Sequence, residues 1–220
     1  MNTEKKEIHV LKDGPYRVTG NIPLNALRFV CNAKENPVSY EETKKFPQQE
    51  EYYLCRCGKS KNYPFCDGSH AEGFHGTETA GHKTYEEMAE LIEGIDMDML
   101  DAEELCAGVR FCHAKSGPWN LVTRSDNEQA KPIVEEICSN CASGRLTFVT
   151  KEGEIKEKDY PQEISMLYDS PAEVAGPIWV KGRIPIYDAE GMQYEARNRV
   201  TLCRCGKSHN KPFCDGSHFH

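Results

Sequence analysis

The sequence predicts an α+β protein: two small β-rich, metal-ligating modules at the ends of the chain, with a small α+β unit between them. Three observations carry this. The seventeen residues from Leu54 to His70 are spelled again from Leu202 to His218 with only two changes, Lys61 to His209 and Tyr63 to Lys211. Each copy follows a run punctuated by Gly and Pro, Gly14 to Leu24 and Gly176 to Ile186, which reads as edge strand and tight turn rather than helix. The segment between the copies carries helix-start signals and helical spacing instead. An internal duplication in 220 residues favours two or three small domains over one large one, with expected bounds of 1–80, 81–173 and 174–220.

The repeats hold the chemistry. Each sets three cysteines and one histidine in the pattern C-x-C-x8-C-x3-H: Cys55, Cys57, Cys66 and His70 in the first, Cys203, Cys205, Cys214 and His218 in the second. Thiolate and imidazole suit zinc or iron-sulfur clusters, and such a quartet closes a tetrahedral zinc site or holds a [2Fe-2S] core; spacing alone does not choose. The C-x-C pair offers two sulfurs from an extended strand or turn. Cys66 and His70 converge from one turn at a helix start, which Asp67 is placed to cap and where Gly68 permits close backbone approach.

Both copies spell Cys-Asp-Gly-Ser-His and resemble, position by position, the CDGSH iron-sulfur domain family. The resemblance implies two [2Fe-2S] clusters, one per module, with iron held by these same eight residues. In the family, single-module chains often pair through intertwined strands, which implies that the two modules here pair within one chain; a homodimer is then compatible but not required.

In chain order, the first copy has fourteen more residues between its Gly-Pro strand and its cysteines than the second, within Asn25 to Gln49, and these read as an inserted hairpin or loop. Tyr52 to Leu54 and Arg199 to Leu202 form the strands that deliver the paired cysteines. Trp179 and the tyrosines read as packing residues, Cys31 as a small buried side chain, and His75 and His82 as solvated linker residues. Thr84 to Glu87 is a capping box, followed by Met88, Leu91 and Ile92 at helical spacing with Gly94 as a stop. Asp101 to Glu104 repeats the pattern, with Leu105, Val109 and Cys112 beyond it. A third helix spans about 131–137, with Pro132 in its first turn, and Arg145 to Thr150 reads as a strand.

Cys106, Cys112, Cys138 and Cys141 fall in this central unit. Glu104 to Phe148 resembles the divergent single-cluster ferredoxin-like domain that accompanies CDGSH modules, except that Ala142 stands where that pattern has proline. If Ala102 to Cys112 were one helix, Cys106 and Cys112 would point roughly 240° apart, about 9 Å along the axis; a break, for which Gly108 is the natural place, is needed to bring them together. A third cluster, a redox-active Cys138-x-x-Cys141 pair, free thiols and a unit that has lost its cluster all stay open, with the last favoured. His113 is a weaker candidate.

Net charge of −8 with no long basic run argues against nucleic acid. No stretch of eighteen apolar residues exists, and Met1 to Lys12 is polar rather than a signal peptide, so no membrane partner and a reducing cytoplasm are expected. Replacing one thiolate by a neutral imidazole raises a cluster's potential and couples it to pH; Lys59 and Lys207 lie close enough in sequence to stabilise the added charge or to be simply solvated. The expected function is electron transfer with a redox protein partner. The alternatives are a cluster carrier or redox/pH sensor serving apo-protein acceptors, and a structural zinc protein. An enzyme is not expected: there is no nucleotide-binding glycine loop, and the ligand sets leave no open position.

Overall fold

The computed structural model describes residues 5–220; the first four residues of the polar N-terminal stretch lie outside them. The Gly-Pro runs do become strands. β1 (Glu7–Val10) turns into β2 (Tyr16–Thr19), and the inserted segment forms the hairpin β3 (Leu24–Cys31) and β4 (Pro37–Lys45). β5 (Glu51–Leu54) then delivers the first cysteine pair, and the repeat ends in a 3-10 turn, Ser69–Ala71.

The central unit runs through α1 (Tyr85–Met88), β6 (Glu90–Glu93), β7 (Asp98–Asp101), α2 (Pro118–Val122), α3 (Ala130–Asn140), β8 (Leu146–Val149) and β9 (Ile155–Lys156). It is followed by β10 (Glu163–Asp169), β11 (Val174–Lys181), β12 (Ile186–Tyr187), β13 (Arg199–Leu202) and a closing 3-10 turn, Ser217–Phe219. The protein is thus mixed α+β, with CDGSH-type repeats at both ends and a small domain between.

The two ends share their sheets. One sheet has the order β12-β1-β2-β5, with β12 of the second repeat lying parallel to β1 of the first, Ile8 opposite Ile186. The other has the order β13-β11-β10-β3-β4, in which β3 pairs parallel with β10 from Leu24 opposite Ile164 to Arg28 opposite Tyr168. β10 falls inside the segment 81–173 by sequence, yet its hydrogen bonds are made in this sheet. The inward faces of both sheets fill one core: Ile8, Tyr16, Val18, Tyr52 and Leu54 from the first end meet Ile164, Ile178, Val180, Val200 and Leu202 from the second. Burying such side chains contributes about 1.5–3 kcal/mol each, so neither end carries its apolar faces alone.

The central unit has its own sheet, β6-β7-β8-β9, packed on α2 and α3 through Met97, Met99, Val122, Val134, Leu146 and Phe148. The capping box is present, Thr84 Oγ1 accepting from the Glu87 N–H and the Glu87 carboxylate accepting from the Thr84 N–H. The helix it starts ends at Met88, however, and Leu91 and Ile92 lie in β6, opposite Leu100 and Met99. The second expected helix is also absent. Glu103–Leu105 is a single 3-10 turn, and Gly108 (φ +70°) and Arg110 (φ +63°) turn the chain before another short 3-10 segment begins at Phe111.

Arg199 ties the two parts together. Buried to 2% exposure, its guanidinium donates to the carbonyls of Cys138 and Cys141 at the end of α3 and to Glu157 Oε1 at 2.6 Å. Among the described residues no helix is long and apolar enough to cross a membrane.

Candidate metal centre

In each repeat the chain folds the four donors into two pairs. The extended backbone at the end of β5 and of β13 sets the first pair, with Cys55 Sγ 3.7 Å from Cys57 Sγ and Cys203 Sγ 3.7 Å from Cys205 Sγ. The loop that follows sets the second, with Cys66 Sγ 3.2 Å from His70 Nδ1 and Cys214 Sγ 3.5 Å from His218 Nδ1. Two donors on one tetrahedral metal with bonds of 2.0–2.3 Å lie roughly 3.4–3.8 Å apart. Each pair therefore has about the span of one metal ion. Among the described residues no three His, Cys, Asp or Glu side chains converge on a single metal position. A single tetrahedral zinc wants four convergent donors, whereas a two-iron core takes two protein donors at each iron.

The loops are held alike in both copies. The Cys55 and Cys203 N–H groups donate to the carbonyls of Pro64 and Pro212 at 2.9 and 2.8 Å, and the Cys66 and Cys214 N–H groups donate back to Tyr53 and Thr201 at 2.8 and 2.9 Å. Ser60 and Ser208 hydroxyls donate to Phe65 and Phe213 carbonyls.

Asp67 does not cap a helix. The cap position belongs to Gly68, φ +91°, and the Asp67 carboxylate instead accepts from the Lys61 N–H at 2.7 Å and the Ser69 N–H at 3.0 Å, strapping one side of the loop to the other. Asp215 does the same with His209 and Ser217. The Lys61 and Ser69 N–H groups hold the Asp67 carboxyl down at about 2. Burial works against Asp215, yet the bonds from Ser217 and His209 bring it to about 2 as well.

Electrostatics differ between the copies. Contact with Cys205 pulls the Cys203 thiol down against its burial, and pushes Cys205 up. Burial lifts Cys214 to about 12. Burial, then the nearby Arg204 guanidinium, lowers His218 to about 4, so its imidazole stays neutral and able to ligate at neutral pH. Backbone N–H groups reach sulfur at Cys57, from Lys59 at 3.4 Å, and at Cys214, from Gly216 at 3.5 Å. Lys59 and Lys207 are not directed at the sulfurs. Their ammonium groups donate to the carbonyls of Glu72 and His220 just beyond each histidine.

The two sites are neighbours. Cys57 and Cys205 form an isolated antiparallel bridge, and the adjoining glycines Gly58 and Gly206, both at φ +77°, press against the opposite cysteine: a Cβ would sit 2.7 Å from the Cys205 carbonyl oxygen and 2.9 Å from that of Cys57.

With this geometry in place, the comparisons are specific. The family described as iron-binding zinc finger CDGSH type matches residues 13–71 and 175–219. Each end of the chain carries a CDGSH-type module. A divergent 4Fe-4S mono-cluster family matches residues 92–151 between the modules. No curated protein and no solved structure matches the chain. Binding of iron-sulfur clusters follows from these families.

In the central unit between these modules the break at Gly108 removes the geometric objection raised by a continuous helix. Cys106, Cys112 and Cys141 line one small cavity, together with Arg145, whose guanidinium is clamped by Asp101 at 2.6 and 2.8 Å. Burial, then the neighbouring Cys141 and Cys106 sulfurs, pushes Cys112 up to about 11. Cys138 is outside this lining and 2% exposed, in the core of the central unit. His113 is also outside the lining.

Cys31 is half-buried beside the Leu27, Phe29 and Trp179 cluster. His82 is not simply solvated: it meets Asp188 at 3.0 Å and stacks on Tyr194. Trp179 packs between Tyr40 and Tyr160 as expected. Tyr63 departs from the packing role, its hydroxyl lying 3.7 Å from Cys55 Sγ. The clue in the sequence was that Tyr63 is one of the two positions at which the repeats differ.

Proposed function

We propose that this is a non-catalytic redox protein whose end modules each hold a [2Fe-2S] cluster through three cysteines and one histidine, Cys55, Cys57, Cys66 and His70 in one and Cys203, Cys205, Cys214 and His218 in the other. The observation that supports this reading is the grouping of the donors into pairs of 3.2–3.7 Å, two pairs per module, rather than into a single quartet. Bound there, the cluster supplies one-electron exchange. The protein supplies the rest. Buried Cys55, Cys203 and Cys214 keep water from the thiolates, and the Lys59 and Gly216 N–H groups donate to sulfur and favour the more negative, reduced form. A neutral imidazole in place of a fourth thiolate shifts the potential upward, above the roughly −400 mV of all-cysteine plant-type clusters.

We extend the reading to the central unit on a separate observation, the three thiols of Cys106, Cys112 and Cys141 around one cavity beside a fixed guanidinium. These three residues are proposed as ligands of a third cluster. Ala107 and Gly108, which follow Cys106, lie against Gly216 and Phe219 of the second module, which would put the central site next to that module and make the three sites a series.

Reductive titration of the anaerobically purified protein, followed by mixing with an apo-ferredoxin, tests the function. Reversible one-electron uptake at each module with all iron retained is the expected result. Iron passing to the apo-acceptor faster than electrons pass to an oxidised carrier would favour the cluster-carrier alternative, and a redox-silent zinc form would favour a structural one.

A further inference from the structure

The two modules carry nearly the same seventeen residues, yet one of the two differing positions lies on the path between their sites. In the first module Tyr63 places its hydroxyl 3.7 Å from Cys55 Sγ and 3.2 Å from the carbonyl oxygen of Arg204, the residue between Cys203 and Cys205. In the second module the matching residue is Lys211, whose ammonium donates to the Ser208 carbonyl within its own loop. Among the described residues no side chain repeats the Tyr63 contact there.

The surrounding arginines are asymmetric too. Arg56 turns inward, bonding to the carbonyls of Leu11 and Gly76. Its counterpart Arg204 lies over the Tyr63 ring of the other module, 5.7 Å from its centroid, whereas Arg56 lies over Tyr16 and Phe74 of its own module; the Nε of each is buried without a partner among the described residues. Tyr63 thus leans on the second module with its ring and touches the first module's thiol with its oxygen.

A phenol has one proton to donate and here has two acceptors. When the Cys55 sulfur is a metal-bound thiolate it has no proton of its own, so the hydroxyl chooses between that sulfur and the Arg204 carbonyl. Added negative charge on the first cluster strengthens the sulfur as an acceptor, because hydrogen bonds to charged groups are the stronger ones. Hydrogen bonds to cluster sulfurs raise the reduction potential.

We infer that Tyr63 makes the two clusters inequivalent: it favours the electron on the first cluster and bridges the second module's backbone to it, so that an electron entering from a one-electron donor protein settles at Cys55 rather than at Cys203. This rests on the reading of both modules as [2Fe-2S] sites. The step moves one electron and no proton; the Tyr63 O–H turns from the Arg204 carbonyl to the Cys55 sulfur and keeps its hydrogen. Tyr63 is a positioning residue, acting through Cys55.

The test is a potentiometric titration of the loaded protein followed by electron paramagnetic resonance at half reduction. The signals are assigned with His70→Cys and His218→Cys, each of which alters one cluster's signature. In the wild type the first electron should appear on the first cluster. Tyr63→Phe keeps the ring over Arg204 and removes only the hydroxyl; it should lower the first cluster's reduction equilibrium about tenfold, which is 59 mV for a one-electron couple. The second cluster's intrinsic potential should stay in place. As a variant that keeps the hydroxyl and the fold, 3-fluorotyrosine at position 63 is a stronger donor and should move the same midpoint upward. Loaded protein in which both clusters share the first electron equally, or in which neither substitution moves the first cluster alone, would overturn the inference. A protein that takes up no iron would instead remove the reading on which the inference rests, and the inference with it.

Discussion

Cys57 and Cys205 face one another across a single antiparallel β-bridge, and each is followed by a glycine on which a Cβ would run into the other's carbonyl. Two donor residues from opposite ends of the chain are thus held backbone to backbone. The contact depends on Gly58 and Gly206 having no side chain and on both adopting a left-handed conformation, φ +77°.

Gly206→Ala should therefore damage both modules at once. The left-handed strain alone costs about 1–2 kcal/mol, and the new methyl would lie 2.9 Å from the Cys57 carbonyl oxygen. Gly68→Ala is the control, since its φ is +91° but nothing lies within 4 Å of the added carbon. Thermal melts and iron retention should show Gly206→Ala losing clearly more stability than Gly68→Ala, and losing iron from both modules. Equal effects would mean that the bridge does not constrain the sites.

Tyr16 supplies a second link. Its buried hydroxyl, in the first module, is within 2.7 Å of the Cys203 carbonyl and 3.0 Å of the Pro212 carbonyl in the second. Tyr16→Phe leaves the Cys203 carbonyl without its donor, while the Pro212 carbonyl keeps the Cys203 N–H, at a cost of about 1–3 kcal/mol. Release of iron to a chelator should accelerate at the second module while the first is little changed, resolved by the two histidine-to-cysteine labels.

Acid sensitivity below neutral pH has a defined carboxylate component. Asp67 and Asp215 titrate at about 2 in the folded protein, below the roughly 3.9 of an unfolded aspartate. Their straps are therefore fully present above about pH 4 and are lost as pH falls from there towards 2. Denaturation midpoints measured by circular dichroism between pH 5 and pH 2 should fall less steeply for the Asp67→Asn, Asp215→Asn variant than for the wild type. A wild-type slope retained in the variant would contradict the assignment.

Much of the site could be read from the repeats because the donors, the Asp-Gly turn and the delivering strands are local in sequence. The insertion was legible as fourteen extra residues between the Gly-Pro strand and the cysteines, read as a hairpin or loop; its turn at Asn32 to Asn36 is seen only in the structure. What local pattern could not show is the exchange of strands: β12 beside β1 and β10 beside β3 are pairings between segments more than a hundred residues apart. Leu91 and Ile92 misled because a short apolar run fits a helix face and an edge strand equally well, and pairing with Met99 and Leu100 decides it. The sequence marks Arg199 only as the start of a strand, and the end of α3 supplies carbonyls that only the folded chain brings to it. Tyr63 looked like packing for a related reason: its partner, Arg204, is contributed by the other module.

The pairing of donors within each module is the centre of this account, and the metal content of the protein tests it most directly. Anaerobically purified protein should be coloured, bleach on reduction, and contain about four irons and four sulfides per chain from the two CDGSH modules, two of each per module, with no zinc and with any further iron lost when Cys112 and Cys141 are replaced by serine. A colourless protein holding about two zinc ions per chain, and taking up no iron and sulfide on reconstitution, would contradict it.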